Sequence, residues 1–402
     1  MSASSRRGAC PTLTAPMATG DGLLARLTPL AGSLTPAQLA GLAEAAGACG
    51  NGQLEITGRG NLQIRGLSQA TLADLNHAVN ALNLAAREGV PIDSAPLAGL
   101  DPQELADPRP LAKALAGAIA TQDLAEQLGP KVSVVIDGGG RSMLDAVKAD
   151  IRLKADNGGQ WRLSLAGDRH TAHLIGAFNQ EQALESVLDT LIAIAKLGRD
   201  ARARDLIKGD YARPTRGEET SILAFGKPIP LLDGRFALRI AFAFGAIDAP
   251  TLAAFAEGVG ALGVSETRLC PERSLLLLCD SLSQAEEALA LAETNGLIIQ
   301  PDDPRLAIVA CAGAPACASA HFATRPLAQE IAANKALSLP AGLRLHLSGC
   351  AKRCAEPGGR STTLIGAADG NHFAANGTAP PQALLHYFQK RGLIRPDIHQ
   401  AS

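Results

Sequence analysis

The most specific chemistry in this chain is carried by four cysteines near its C-terminal end. Cys311 and Cys317 form C-x5-C, and 32 residues further on Cys350 and Cys354 form C-x3-C. Four thiolates are the donor set of a [4Fe–4S] cluster. The residues between them are small, Ala312-Gly-Ala-Pro-Ala316 and Ala351-Lys-Arg353. Small residues let backbone N–H groups approach a sulfide-rich cluster, which tunes it. Zinc takes the same ligands, but usually from short C-x2-C knuckles. Four free core thiols are the plain alternative, and the tight pairing weighs against it. Iron and acid-labile sulfide analysis separates the three.

Something must hold the two pairs together. Leu306-Ala-Ile-Val-Ala310 runs into Cys311, and Leu343-Arg-Leu-His-Leu347 runs into Ser348-Gly-Cys350. The first reads as a fully buried strand and the second, which alternates, as a half-buried one. Both cysteine pairs then sit in loops beyond strand ends, where α/β sheets place their ligands. A helix is expected after Cys317, a hairpin over 361–376 and a helix near 381–391.

Composition narrows the function. With 402 residues, 47% apolar and 19% charged, the chain is a folded protein of more than one domain. One Trp, two Tyr and a net charge of −2 speak against a nucleic-acid surface. No apolar run approaches the roughly 18–20 residues that span a bilayer, and Met1–Cys10 has no apolar stretch behind its arginine pair. The expectation is a cytoplasmic protein with neither membrane nor nucleic-acid partner, whose cysteines serve a metal rather than disulfides.

A repeat runs through the sequence. Residues 23–64 and 236–277 align without a gap at an offset of 213, pairing Arg26 with Arg239, Gly32 with Gly245, Leu39 with Leu252, Glu44 with Glu257 and Gly47 with Gly260. Thr35 and Asp248 are both good N-caps ahead of Ala/Leu-rich runs. Each copy reads as a strand (23–29 or 236–242), a capped helix (36–47 or 249–261) and a return strand, half of a ferredoxin-like unit. Between the copies, 131–136 is β-prone, Ile151–Ala155 and Trp161–Leu165 flank Asn157-Gly-Gly159 as a hairpin, and a helix follows at about 180–197.

The fold class is therefore α+β with an internal duplication. The expected divisions are a half unit at 1–90, an α/β unit without cysteine pairs at 110–206, a second half unit at 220–300 and the four-cysteine unit at 301–402. Pro/Asp-rich 90–110 and charged 207–220 read as linkers.

Basic residues concentrate where the first copy ends. In Thr57-Gly-Arg59-Gly-Asn61-Leu-Gln63-Ile-Arg65, the residues Arg59, Asn61, Gln63 and Arg65 alternate along one face of an extended strand. Leu62 and Ile64 point the other way. Such a face is either solvated or a grip for carboxylates, which arginine forks bind bidentately. The second copy offers Arg268 and Arg273. Asp137-Gly-Gly-Gly-Arg141 fits neither G-x-G-x-x-G nor a Walker A and reads as a tight turn. Cys49 and Cys279 read as small core residues, and Cys10 lies in a polar, Gly-rich segment that suggests a binding loop.

The duplicated half units, the T-x-R-x-N-x-Q-x-R-G stretch at 57–66 and the C-x5-C…C-x3-C pattern together resemble the sulfite/nitrite reductase superfamily over nearly the whole chain. Within it, Arg7-Gly-Ala-Cys-Pro11, Thr19–Leu24, Cys311–Ala320 and Ser348–Pro357 are similar to the precorrin-3B synthase branch of aerobic cobalamin biosynthesis. The reductases carry G-C-P-N-x-C in the second loop, where this chain has Ala351 and Lys352. Their two closely spaced lysines appear as Lys131 and Ser133, and their R-N pair has no counterpart ahead of Pro96-Leu-Ala-Gly99.

The resemblance implies that Cys311, Cys317, Cys350 and Cys354 hold a [4Fe–4S] cluster, with a mononuclear non-haem iron whose ligands no residue pattern identifies. It implies precorrin-3A, O₂ and an unidentified electron donor as partners. Arg59, Asn61, Gln63, Arg65, Arg268, Arg273 and Lys131 would then hold the acid arms of the macrocycle. Sirohaem enters only under the alternative, a short sulfite or nitrite reductase. A third class is a cluster-bearing electron carrier or tetrapyrrole-binding protein without catalysis.

Overall fold

In a computed structural model that describes residues 11–85, 87, 89–141, 143–207, 223–375 and 377–394, the two aligned copies become two matching βαββα modules. Cys10 and most of the 207–220 stretch lie outside the described residues. The first module runs β1 (Met17–Thr19), β2 (Gly22–Leu27), β3 (Ser33–Leu34), α1 (Pro36–Cys49), β4 (Gln53–Ile56), β5 (Leu62–Leu67) and α2 (Leu72–Ala81). There follow β6 (Ile92–Ser94), α3 (Arg109–Thr121), α4 (Leu124–Gln127), β7 (Val134–Asp137), β8 (Ala149–Ala155), β9 (Trp161–Gly167), β10 (His173–Phe178) and α5 (Gln180–Lys196). The second module comprises β11 (Ile229–Pro230), β12 (Phe236–Ala241), β13 (Ala246–Asp248), α6 (Ala249–Ala261), β14 (Glu266–Cys270), β15 (Ser274–Cys279) and α7 (Leu282–Thr294). The four-cysteine segment holds β16 (Ile308–Ala310), α8 (Thr324–Ala333), β17 (Arg344–Ser348), β18 (Ser361–Ile365), β19 (His372–Phe373) and α9 (Gln382–Lys390).

The matched residues of the repeat have matching work. Thr35 caps α1 by accepting from the Gln38 N–H at 3.1 Å, and Asp248 caps α6 by accepting from the Thr251 N–H at 2.9 Å; such caps contribute about 1 kcal/mol each. Gly32 and Gly245 adopt φ +70° and +76°. A side chain at Gly32 would strike the Leu269 carbonyl at 2.5 Å, and one at Gly245 the carbonyl of Ile56, the equivalent of Leu269, at 2.7 Å. Helices α1 and α6 pack against each other, with Gly47 facing Ala249 and Gly260 facing Pro36.

The copies are not independent bodies. Strand β3 of the first pairs with β14 of the second, and β13 of the second pairs with β4 of the first. One apolar core therefore spans both, and Leu39, Leu42, Leu252 and Phe255 are at most 1% exposed within it. Each such side chain contributes roughly 1.5–3 kcal/mol by its burial.

The two longer segments repeat each other as well. In one sheet β6, β7 and β8 run parallel and β9 turns back; in the other β16, β17 and β18 run parallel and β19 turns back. Both ladders pair residues 17 apart, as Val134 with Ile151 and Leu345 with Thr362, and β7 and β17 end at Asp137 and Ser348, each followed by glycine, so the sheets match at an offset of 211. The 90–110 stretch, read as a linker, contributes β6, an edge strand of the first sheet. The strand expected to be half-buried, β17, is buried from Leu345 to Ser348 because it is the middle strand between β16 and β18. His346, which suggested a solvent face, is 0% exposed and bonded to Thr363 at 3.3 Å. Burial first, then the charges of Arg273 and Arg353, pushes its pKa down to about 3, so it packs as a neutral ring.

Candidate functional site

Because β16 and β17 are parallel neighbours, Cys311 and Cys350 leave the same end of the sheet on adjacent loops. The loops interlock. The Gly349 N–H donates to the Cys311 sulfur at 3.2 Å, and the His321 N–H donates to the Gly349 carbonyl at 2.8 Å. A Cβ on Gly349 would lie 2.6 Å from that of Ala320, so only glycine fits where the loops meet. Cys311, Cys317 and Cys350 are half-buried and Cys354 is exposed. In number and chemistry these donors fit a four-thiolate cluster, and an N–H already directed at one sulfur suits it. Among the described residues no three His, Cys, Asp or Glu side chains stand grouped to hold a metal ion, so ligation would draw the four thiols together. The remaining described cysteines, Cys49, Cys270 and Cys279, are buried. Burial pushes Cys270 up to about 12 and Cys279 up to about 11, which suits inert core thiols.

The first module presses on the first cysteine loop. A Cβ on Gly20 would lie 2.6 Å from both the Pro315 carbonyl and the Ala318 nitrogen. Arg65 grips Asp21 with two bonds of 3.0 and 2.9 Å and donates to the Ala316 carbonyl at 2.7 Å. Its Nε also lies 3.4 Å from Glu55, which accepts from Arg325 of α8 at 2.6 Å. Gln63 bridges this network when its amide oxygen accepts from Arg26 at 2.8 Å and its nitrogen donates to Glu55 at 3.2 Å. Asn61 accepts from Thr28 at 3.2 Å. These three polar residues do share a face, as their spacing requires, but Asn61, Gln63 and Arg65 are only 4–8% exposed and bonded within the chain. The sequence supplies their partners from far away.

Arg59 is elsewhere. The extended strand read across 59–65 begins only at Leu62; Thr57–Asn61 is the β4–β5 turn, with Gly60 at φ +77°. From that turn Arg59 reaches the Lys148 carbonyl and Asp93, both at 2.6 Å. Arg87 holds the other oxygen of Asp93. Arg59 and Asn61 line one cleft together with Arg87 and Asp93. The equivalent β14–β15 turn holds Glu272 and Arg273 at φ +59° and +61°, an uncommon conformation for such side chains. Arg273 donates to the Ala355 carbonyl, next to Cys354, at 3.1 Å. Burial first, then like charge from Arg344, lowers its pKa to about 10.

Arg268 is occupied by Glu266 at 2.7 Å and the Pro96 carbonyl at 2.6 Å. Lys131 is half-buried in the turn before β7. The five named basic residues thus have five different sets of surroundings rather than forming one grip. Sequence reasoning missed Asp21, Glu55, Asp93, Arg325 and Arg344. It paired Arg239 with Arg26 only as a sign of duplication, yet Arg239 is 0% exposed, bonded to Glu272 at 2.9 Å and stacked 4.0 Å over the Phe225 ring.

The cysteine-free sheet shows what replaces thiols. At the 211 offset Gly138 and Gly139 correspond to Gly349 and Cys350. Here the Gly99 N–H donates to Glu104 at 2.6 Å and the Arg141 N–H donates to Asp101. Carboxylates fill the space between the loops. Burial first, then the charges of Asp107, Asp101 and Asp137, raises Glu104 to about 7 against the Gly99 hydrogen bond.

A duplicated ferredoxin-like scaffold with cysteine pairs in one of two matching sheets is the architecture of the sulfite/nitrite reductase superfamily. Residues 15–82 match the nitrite/sulfite reductase ferredoxin-like half domain. The solved structure of the Mycobacterium tuberculosis NirA protein shares the fold, with a TM-score of 0.66 at 18% identity over 87% of this chain and 73% of that one. A ferredoxin–nitrite reductase of Synechococcus elongatus is 25% identical over 86% of this chain and 76% of its own length. A precorrin-3B synthase of Sinorhizobium is 41% identical over 387 residues, 94% of this chain and 84% of that protein. The chain belongs to the precorrin-3B synthase family.

Proposed function

We propose that this chain catalyses the O₂-dependent conversion of precorrin-3A to precorrin-3B in aerobic cobalamin biosynthesis. The macrocycle is hydroxylated at a meso carbon and a γ-lactone closes from the ring A acetate. One oxygen atom enters the substrate and the other leaves as water, which requires two electrons from a donor. The observation that carries this reading is the 41% identity over 94% of the chain to the Sinorhizobium enzyme. Ala351-Lys352 in the second cysteine loop and Ser133 near Lys131, where reductases keep charged or distinct residues, support it over reduction of a small oxyanion.

Cys311, Cys317, Cys350 and Cys354 would hold the [4Fe–4S] cluster, which when bound supplies one-electron transfer. Arg59, 35% exposed at its side chain, is the basic residue of the 57–66 stretch best placed to exchange Asp93 for a substrate carboxylate. Arg273 approaches the second cysteine loop from the other module. Neither cleft encloses more than about 80 Å³, against roughly 300–1,000 Å³ for ordinary ligand sites, so the macrocycle would lie across an open surface with its arms in the clefts. The reading includes a mononuclear non-haem iron and a cytoplasmic location; no described helix is long and apolar enough to cross a membrane. The test is incubation of cluster-replete protein with precorrin-3A and a reductant under O₂. A hydroxylated lactone by mass spectrometry is expected, and its absence would refute the proposal. The alternative, a sirohaem-dependent sulfite or nitrite reductase, would show intense sirohaem absorption in the purified protein.

A further inference from the structure

The cleft of the second module carries more positive charge than its own carboxylates neutralise. It lies between the β14–β15 turn and the first strand of the four-cysteine sheet, and Arg239, Glu272, Arg273, Arg305, Val309 and Arg344 line it. Glu272 is shared, accepting from Arg239 at 2.9 Å and from Arg344 at 2.8 Å. Arg305 is held by Asp303 at 2.6 Å. Among the described residues Arg273 makes no ion pair; its bond is to a carbonyl. Arg239 and Arg344 thus share one carboxylate, and Arg273 feels only the more distant charges of Glu55 and Glu272, around about 80 Å³ of space, room for several waters at about 10–15 Å³ each.

The first module shows what completes such a cleft. Its counterpart is lined by Arg59, Arg87 and Asp93, and both arginines grip the one carboxylate of Asp93. Strand pairing identifies the equivalent position. Asp93 lies opposite Val135 in β7, and Val309 lies opposite His346 in β17. Val135 and His346 are equivalent at the 211 offset. Where the first cleft has Asp93, the second has the apolar Val309; at the 213 offset Glu272 stands in the place of Arg59, and the guanidinium groups come instead from Arg239, Arg273 and Arg344.

We propose that the second cleft is an oxyanion site that takes an external carboxylate in the position Asp93 occupies in the first. Arg273 and Arg344 would bind it from two sides and Arg239, fully buried behind Glu272, would add fixed positive charge. A carboxylate of this kind comes from one of two sources: a free small acid, or an acid arm of a polycarboxylate macrocycle. The free-acid case does not depend on the tetrapyrrole reading; the arm case rests on it and names the residues that receive one arm.

The test titrates full-length protein with malonate by calorimetry and with uroporphyrin, a polycarboxylate tetrapyrrole, by fluorescence. Saturable binding of either probe is expected, malonate alone marking the free-acid source and uroporphyrin alone the arm. Arg344→Gln should weaken it roughly tenfold, the scale of one charge-assisted bond. Val309→Asp copies the first module and should abolish binding without lowering the melting temperature. Should that variant fail to fold, Arg344→Gln decides, since Arg239 still neutralises Glu272 there. Failure of both probes to bind the parent protein, or unchanged affinity in the variants, overturns the proposal. Either result is separate from the precorrin-3A assay, which reads product formation.

Discussion

Replacing Arg65 by Met distinguishes a structural arginine from a substrate clamp. The guanidinium is 5% exposed and makes the paired bonds to Asp21, the bond to the Ala316 carbonyl and the contact with Glu55. Removing one partner of a buried ion pair costs about 3–5 kcal/mol because the other charge stays buried. Asp21 keeps bonds from Thr19 and Asn51, and Glu55 keeps Arg325, so the loss should be about 2–4 kcal/mol. Urea unfolding should show a lower midpoint at unchanged slope. Exchange of the amides at 316–318 should accelerate, because the tie to the cysteine loop is gone. Arg65→Met with Asp21→Asn should recover part of the loss, since no unpaired carboxylate remains. The acid behaviour has a defined sign. Burial alone would raise Asp21, but Arg65 and Thr19 hold it below its ordinary 3.8. That contribution is complete above the unfolded value and lost as pH falls through the lower folded one, so the deficit of the variant should shrink in acid. Unchanged stability together with weaker tetrapyrrole binding would mean that Arg65 is free to grip substrate, and the reasoning would fail.

Three further outcomes are expected. Cys354→Ser should abolish activity and lower cluster iron; a variant with full iron and full activity would remove this residue from the ligand set. Arg59→Ala should weaken tetrapyrrole binding roughly tenfold while leaving iron content unchanged, measured by fluorescence titration and iron analysis. Glu104→Gln should flatten the pH dependence of stability between about 4.5 and about 7. The raised folded pKa means that stability falls as pH rises through this window. The variant should therefore be about 1–2 kcal/mol more stable at pH 8 by urea unfolding, a figure already reduced for partial exposure.

The duplication was legible because single residues enforce it. A left-handed turn against a neighbouring carbonyl demands glycine at 32 and 245, a close helix crossing favours small residues at 47 and 260, and a helix start is capped by Thr35 and Asp248. The exchange of β3 and β13 was not legible, since strands of two or three residues carry no periodicity. The turn at Arg59 was hidden for the opposite reason. Arginine, asparagine, glutamine and arginine alternate correctly for a strand, and only Gly58 and Gly60 hint at the reversal. The cysteine spacing announced its chemistry, but the occupancy of the basic face could not be read locally. Asp21 lies 44 residues from Arg65 and Ala316 lies 251 residues away.

The two halves have diverged in opposite senses at corresponding points, and that asymmetry orders the molecule. At the loop ends of the sheets, one half supplies thiols and the other fills the space with Asp101 and Glu104, carboxylates held by backbone N–H groups. At the module clefts the polarity reverses. The half without the cysteine pairs closes its arginines on Asp93, and the half with them leaves Arg273 in a cleft lined by Val309. The first half thus has carboxylates at both places, whereas the second has thiols at its loop ends and, in its cleft, the single carboxylate of Glu272 among several arginines. A net charge of −2 conceals this entirely. Under the proposed function, the acid arms of the substrate would find their strongest attraction in the second cleft, where Arg273 has no ion-pair partner among the described residues.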